Sequence, residues 1–396
     1  MSMASQSKDV LLVGFGAVGA IYSLILKRSG QACVTAVARS NYDAVKSNGL
    51  HIKSKKYGEH KGWRPDRLFP SVDRALDRPY SYVIVTAKAI PELVRTPTLL
   101  APLLSSPYAD QHPQPTYVLM QNGLNVEVDL YDALKKLNLG QEPRIISTAV
   151  WIGTGMVNST TVEHNDFDRV SMGVYRPSST VTSNTAEEQA LLEDFDRILA
   201  AGGSQTTIVP EIQRVKYTKN FWNACLGITA ALSRYPLTAI FRPPHMEPGA
   251  SQTAAAPAAP PPAHPPSAVA TASIPCASPA IGAYTIPLLH DAMSEIYTLG
   301  MALFPPSDKG PGLDPDIVVK TLTNTASLHA RPDANHRAST LVDVENGRPT
   351  EVEVIVGELV RMGRAKGVSM PRVETLYALM LIIQNQLLKE NEKKAS

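Results

Sequence analysis

Apolar positions along this chain follow two rhythms, and the change from one to the other divides the sequence. In the first half, short unbroken runs such as Val10–Val13 alternate with segments whose apolar residues recur at helical spacing. Ala17–Arg28 is a segment of the second kind, with Val18, Ile21, Tyr22 and Ile25 on one face. Ala32–Ala38, Tyr82–Thr86, Tyr117–Met120 and Ile145–Val150 repeat the strand-like run. Strands separated by helices predict an α/β domain, a parallel sheet with helices on both faces. Val162–His164 and Arg169–Val174 read as a later, antiparallel extension. Beyond Pro210 the spacing becomes helical over Ile212–Ala231, Pro287–Ala302, Asp316–Thr323 and Pro349–Lys366. In the last of these, Val352, Ile355, Leu359 and Met362 form one stripe. A capping box, Thr350-x-x-Glu353, opens it, and Gly367 closes it with Pro371 beyond. The expected division is residues 1–210 as the α/β domain and 211–396 as an all-helical domain.

One stretch fits neither rhythm. Arg242 to Pro279 is dominated by Pro, Ala and Ser, as in Ala254–Pro266, and has too few large apolar side chains to offset its ordering entropy. It reads as a disordered insert whose removal leaves folding intact, and it contains no Pro-x-x-Pro ligand with a basic anchor.

Composition narrows the classes. The formal net charge of +2 over 396 residues gives no footprint for nucleic acid or an anionic membrane. Cys33, Cys225 and Cys276 are scattered without a Cys-x-x-Cys spacing, which argues against a disulfide framework or a metal site and for a reducing compartment. Met1–Asp9 is polar and leaves no room for a signal peptide, and no apolar run has membrane-helix length. The cytoplasm is the expected location.

The strongest local chemistry lies at Gly14-Phe15-Gly16-Ala17-Val18-Gly19, after a strand and at the start of a helix. In that context the first glycine serves a tight turn, the second lets the backbone approach a pyrophosphate, and the third lets helix pack on strand. The helix N-terminus then faces the phosphates. This is a Rossmann-like dinucleotide-binding motif. The next strand ends in Arg39 rather than an acid, followed by Ser40 and Asn41. A guanidinium there suits the 2′-phosphate of NADPH, although a solvated strand-end Arg has the same appearance.

Further along, Val85-Thr-Ala-Lys88, Met120-Gln-Asn122-Gly123, Lys219-Asn-Phe-Trp-Asn223, Pro236-Leu-Thr-Ala-Ile240, Ser339-Thr-Leu-Val-Asp343 and Arg348-Pro-Thr-Glu351 follow in order. With the glycine motif and Ala365-Lys-Gly-Val-Ser-Met-Pro371, this series resembles the ketopantoate reductases over nearly the whole chain except the Pro/Ala-rich insert. The resemblance implies reduction of 2-dehydropantoate to (R)-pantoate with hydride from NADPH, at a site between the two domains, and it suggests a homodimer through the helical domain. It assigns Lys219 as proton donor, with Asn223 one turn on. On its own residues Lys219 reads as a solvated lysine, like its neighbour Lys216. The resemblance also brings Asn122 to nicotinamide and substrate, Lys88 to phosphate or ribose, Ser339 to the substrate carboxylate and Asp343 to an orienting role. Glu351 accepts from a substrate hydroxyl. Asn122-Gly123 as a plain turn and Glu351 as a helix first-turn acid are the competing readings.

Two departures fall where substrate belongs. His336, beside Asn335, stands where the family pattern has Asn, and Arg234-Tyr235 precedes Pro236 where the bacterial pattern has Asn. They leave open another branched or aromatic 2-oxo or 2-hydroxy acid. A non-catalytic NADPH sensor would need only the glycines and Arg39.

Overall fold

Continuous apolar runs can be buried on both faces only at the centre of a covered sheet, and that is where they lie. The computed structural model describes residues 7–137, 140–177, 182–249, 274–307 and 312–395. The chain divides into two compact units, Met1–Lys216 and Tyr217–Ser396.

Among the described residues, the first unit is built on ten strands: β1 Lys8–Val13, β2 Ala32–Val37, β3 Leu50–Ser54, β4 Gly58–Trp63, β5 Arg67–Phe69, β6 Tyr82–Val85, β7 Thr116–Leu119, β8 Ile145–Met156, β9 Thr161–Val174 and β10 Gln205–Ile208. Their order is β4-β3-β9-β8-β7-β6-β1-β2-β5, with β10 on β9. From β5 to β8 every pairing is parallel. Val10, Leu11 and Leu12 are fully buried, each such side chain contributing roughly 1.5–3 kcal/mol. Because β1 lies between β2 and β6, the strand order reverses there, and the crevice beyond the carboxyl ends of β1 and β6 is the topological switch point. Val13 pairs with Val37 and Val85, so the loops after β1, β2 and β6 open on one edge.

Several expectations need correction. Val162–His164 and Arg169–Val174 are one strand, β9, antiparallel to β8 but parallel to β3 and β10. Strands β3–β5 and β10 were not expected. Gly58–Trp63 is a polar, largely exposed sequence without apolar alternation, so only its pairing with β3 makes it a strand. The helix Ala186–Ala201 is a further addition, and it has the real capping box: Thr185 accepts from the Glu188 backbone while the Glu188 side chain accepts from the Thr185 backbone.

The second unit is helical. Ile212–Trp222 begins in the first unit and runs through a π-turn, Asn223–Gly227, into Ile228–Ser233. Ile286–Leu303, Ile317–His329, Ser339–Glu345, Glu358–Lys366 and Pro371–Ala395 follow. The expected box at Thr350 does not form. The Thr350 hydroxyl donates to Gln384, while the Glu353 carboxylate accepts from Arg361 and Tyr377. The helix opens instead with a π-turn, Glu353–Gly357, and closes at Gly367 in the left-handed conformation (φ 67°) as expected.

The ends of the Pro/Ala-rich stretch are packed rather than disordered. Arg242 is buried and donates to the Ala334 carbonyl at 2.8 Å, Ile274 is buried, and the Ala277 N–H donates to Ile240 at 2.8 Å. Deleting all of 242–279 would remove these contacts; residues 250–273 lie outside the described residues. Among the described residues, no helix is long and apolar enough to cross a membrane, and no cluster of His, Cys, Asp or Glu is arranged to hold a metal.

Candidate functional site

The three motif glycines meet three different constraints. Gly14 has φ 104°, and a Cβ there would lie 2.4 Å from the Ala87 nitrogen. A Cβ at Gly19 would lie 2.0 Å from the Gly14 carbonyl oxygen and 2.7 Å from Thr86 Oγ1. Gly16, at the N-cap of Ala17–Arg28, has open space where a Cβ would point. Two glycines therefore close the loop onto the neighbouring strand end, and the third leaves backbone exposed at a helix N-terminus. Thr86 Oγ1 donates to the Gly14 carbonyl at 2.5 Å, and the buried Asn41 amide donates to the Phe15 carbonyl at 2.9 Å. Thr86 lies within Val85-Thr-Ala-Lys88 and Asn41 follows Arg39 and Ser40, but spacing gives neither a role, since each braces a loop remote from it in sequence. Phe15 is buried in the core and Val18 packs against it, so both support the loop by packing.

Beside this loop is a pocket of 270 Å³, lined by Val13, Gly14, Val37, Arg39, Ser71, Val72, Asp73, Ala87, Val94, Thr98, Leu99 and Pro102. Its wall is mostly apolar, with Arg39 exposed on it. Asp73, from a short helix remote in sequence, also lines it. No spacing rule points to that acid, because tertiary packing alone brings it to β2.

The loops after β6 and β7 complete this edge. Lys88 is exposed after β6, and Asn122 is half-buried after β7. Gln121 joins the two loops, its buried amide donating to the Ala87 carbonyl at 2.7 Å. Gly123 adopts φ 90°, which permits the sharp turn after Asn122.

That turn leads to Glu127, and here an expectation fails. Lys216 is not solvated: it is buried and ion-paired with the buried Glu127, which also accepts from Ser147 on β8. A lysine ammonium and a carboxylate removed from water are tolerable only together. The pair fixes the first turn of Ile212–Trp222 onto the first unit, and that helix continues to Lys219.

In the second unit, Lys219 and Asn223 are half-buried. Lys219 lies in regular α-helix, whereas Asn223 begins the π-turn, a distortion that recurs at functional sites. The π-turn packs against Ser339–Glu345 and against the second π-turn, Glu353–Gly357. The segments carrying Asn223 and Ser339 are thus neighbours, and the turn that follows Glu351 packs beside the one that Asn223 begins. Ser339 is exposed at the start of its helix and Glu351 is buried. Asp343 is buried and accepts from Arg348 at 3.2 Å, which ties down the turn after its helix.

His336 packs edge-on to Trp222 with ring centroids 5.5 Å apart. Its Nδ1 lies 3.3 Å from Nε2 of the buried His329, whose Nδ1 is 2.8 Å from the Thr325 carbonyl. A carbonyl only accepts, so His329 carries its proton on Nδ1 and its Nε2 accepts from His336. Burial holds the His329 imidazole below its usual range.

Comparison with known proteins agrees with this architecture. Residues 10–177 match the family described as ketopantoate reductase PanE/ApbA, and residues 280–384 match its C-terminal counterpart. An uncharacterized protein of Saccharomyces cerevisiae is 25% identical over 98% of both chains. Among solved structures, 2-dehydropantoate 2-reductase from Methylococcus capsulatus is similar over 96% of this chain and 97% of its own, at 24% identity and a TM-score of 0.67. A D-mandelate dehydrogenase solved with NADH and anilino(oxo)acetate shares the fold over 96% of this chain and 99% of its own, at 16% identity and a TM-score of 0.68. With both halves of the family pattern present in order on the expected fold, this chain belongs to the ketopantoate reductase family of oxidoreductases.

Proposed function

We propose that this protein is an NADPH-dependent reductase that converts 2-dehydropantoate to (R)-pantoate, with Lys219 as the proton donor. The observation that carries the reading is the loop after β1, packed tightly at Gly14 and Gly19 and open at Gly16, with Arg39 lining the pocket beside it. The residues fit a dinucleotide: exposed N–H groups at a helix start suit a pyrophosphate, and the apolar pocket suits an adenine. Arg39 would take a 2′-phosphate, with Asp73 as the group that would tolerate a ribose hydroxyl instead. Lys88 would meet phosphate or ribose.

The bound nicotinamide would supply a hydride to the keto carbon. The rest falls to the chain. The Lys219 ammonium would donate to the keto oxygen, polarise the carbonyl and release its proton to the forming alkoxide, so that ketone, hydride and proton make one alcohol. Asn122 and Asn223 would orient the substrate through their amides, and Ser339 would donate to its carboxylate. Glu351 would accept from the substrate hydroxyl. Asp343 would act through Arg348. The three free cysteines accord with a reducing compartment, and the cytoplasm is the proposed location. A homodimer through the helical unit belongs to the same proposal.

One observation favours a second substrate. Trp222, His336 and His329 form an aromatic and imidazole cluster next to Asn223 and near Ser339 in sequence. Such a surface suits an aromatic 2-oxo acid better than a hydroxymethylated branched one.

The test follows NADPH absorbance with purified protein, 2-dehydropantoate and a panel of other 2-oxo acids. The proposal expects turnover of 2-dehydropantoate that drops at least about 10²-fold in Lys219→Ala. Turnover confined to aromatic oxo acids would select the second reading. Binding of NADPH with no turnover of any oxo acid would sink both and favour a sensor.

A further inference from the structure

We infer that two buried amides, Asn220 and Gln384, are positioning residues that hold Glu351 in register with Lys219. The inference rests on the proposed roles of Lys219 and Glu351.

Asn220 follows Lys219 on the same helix and is 2% exposed. Its Nδ2 donates to the Ile355 carbonyl at 2.8 Å, inside the π-turn Glu353–Gly357. The Ile355 N–H in turn donates to the Glu351 carbonyl at 3.0 Å. One side-chain bond and one backbone bond therefore connect the residue beside Lys219 to the backbone of Glu351.

The opposite side of Glu351 is held as firmly. Gln384, 1% exposed on the helix Pro371–Ala395, accepts from both the N–H and the hydroxyl of Thr350, at 2.8 and 2.9 Å. Its Nε2 donates back to the Thr350 carbonyl at 3.1 Å. Thr350 itself is fully buried. Glu351 thus sits between a residue clamped by three hydrogen bonds and a π-turn pinned by a fourth.

Stability accounts for Gln384, since an apolar side chain there would strand the N–H and carbonyl of the buried Thr350. It does not account in full for Asn220, whose Oδ1 is buried with no hydrogen-bond partner. The chain carries that cost at the residue next to Lys219, where the bond it secures fixes the direction of the π-turn after Glu351. The consequence is geometric. A carboxylate shifted by about 1 Å loses hydrogen-bond alignment with its target, an error that costs about 10²-fold in rate at a reacting centre.

The experiment uses the full chain with a 2-oxo acid that the wild-type protein reduces. It compares Asn220→Leu, Gln384→Leu and Thr350→Val with Glu351→Gln and Lys219→Ala, measuring kcat and KM separately, NADPH Kd by fluorescence, and Tm. Thr350→Val preserves shape and deletes one hydroxyl bond, so it keeps the test alive should either leucine variant fail to fold. The inference expects kcat to fall roughly 10- to 100-fold in the leucine variants and less in Thr350→Val. NADPH Kd should stay within about twofold, because only second-unit residues are altered, and adding Glu351→Gln to Asn220→Leu should cost little more. Wild-type kcat in the three positioning variants, with Glu351→Gln alone inactive, would overturn the inference and leave the site intact. Full turnover in Glu351→Gln or Lys219→Ala would overturn the site assignment itself, and the positioning role with it.

Discussion

The two units hold their candidate residues by different means. In the first, the crevice is shaped by backbone: Gly14 and Gly19 permit contacts that no side chain allows, and Gly16 leaves the approach open. In the second, Lys219 and Asn223 lie where a helix runs into a π-turn, the buried Asn220 amide holds the other π-turn, Glu353–Gly357, and the buried Gln384 amide holds Thr350 beside Glu351. Even the glycines differ. A Cβ at Gly227, inside the π-turn after Lys219, would meet nothing closer than 3.8 Å, an ordinary contact. A site made of backbone tolerates almost no substitution, whereas one made of side-chain hydrogen bonds degrades by steps.

The sharpest break of this comparison is Gly19→Ala. Its Cβ overlaps backbone at 2.0 Å, which cannot shift cheaply, so a loss of about 4 kcal/mol or more, or failure to fold, is expected in urea denaturation. Near-normal stability would show that the loop can open. Next in size is Lys216→Met, which strands the buried Glu127 carboxylate. Removing one partner of such a pair costs about 3–5 kcal/mol, and the double variant Glu127→Leu/Lys216→Met should recover most of it. No recovery would mean that the two side chains act separately.

Gly16→Ala should separate folding from binding. Nothing lies where its Cβ would point, so Tm should hardly move while NADPH affinity falls at least about tenfold, or 1.4 kcal/mol. Unchanged affinity would place the dinucleotide elsewhere. A smaller effect concerns pH. Burial depresses the His329 pKa from its ordinary 6.5, so the unfolded chain takes up that proton first. The stabilisation is complete above about pH 6.5 and declines as pH falls below it. Unfolding measured from pH 7.5 to 5.5 should show this slope, and His329→Gln should reduce it, with His164 and His336, lowered by burial in the same way, supplying the rest. An unchanged slope would assign the loss to other groups. The mildest test is Gly227→Ala, expected to stabilise by about 0.4–1 kcal/mol through the unfolded chain. A marked destabilisation would show that the π-turn needs its glycine.

Much of the first unit was legible because its signals are local. The run Val10–Val13, the glycines that follow and the stripe of Ala17–Arg28 each specify their element within a few residues. Spacing marks four helical stretches of the second unit but neither Ser339–Glu345 nor the long helix Pro371–Ala395. It also misses the π-turns, which arise from packing that spacing does not encode. Lys219, Asn223, Ser339 and Glu351 could be named only through resemblance, because one polar residue on a helix has no periodic signature.

By itself, then, the sequence determined which segments are strands and helices at the centre of the sheet, where the chain can turn and expose backbone to an anion, and the order of the two units. Tertiary structure decided what each isolated polar residue does. It buried Lys216 against Glu127, 89 residues away, brought Asp73 to the pocket beside Arg39, paired the polar β4 with β3, and set Gln384 on Thr350 across 34 residues. The reason is physical. Periodic burial repeats along the chain and leaves a pattern, whereas one hydrogen bond or ion pair between distant residues leaves no trace in either neighbourhood until the fold joins them.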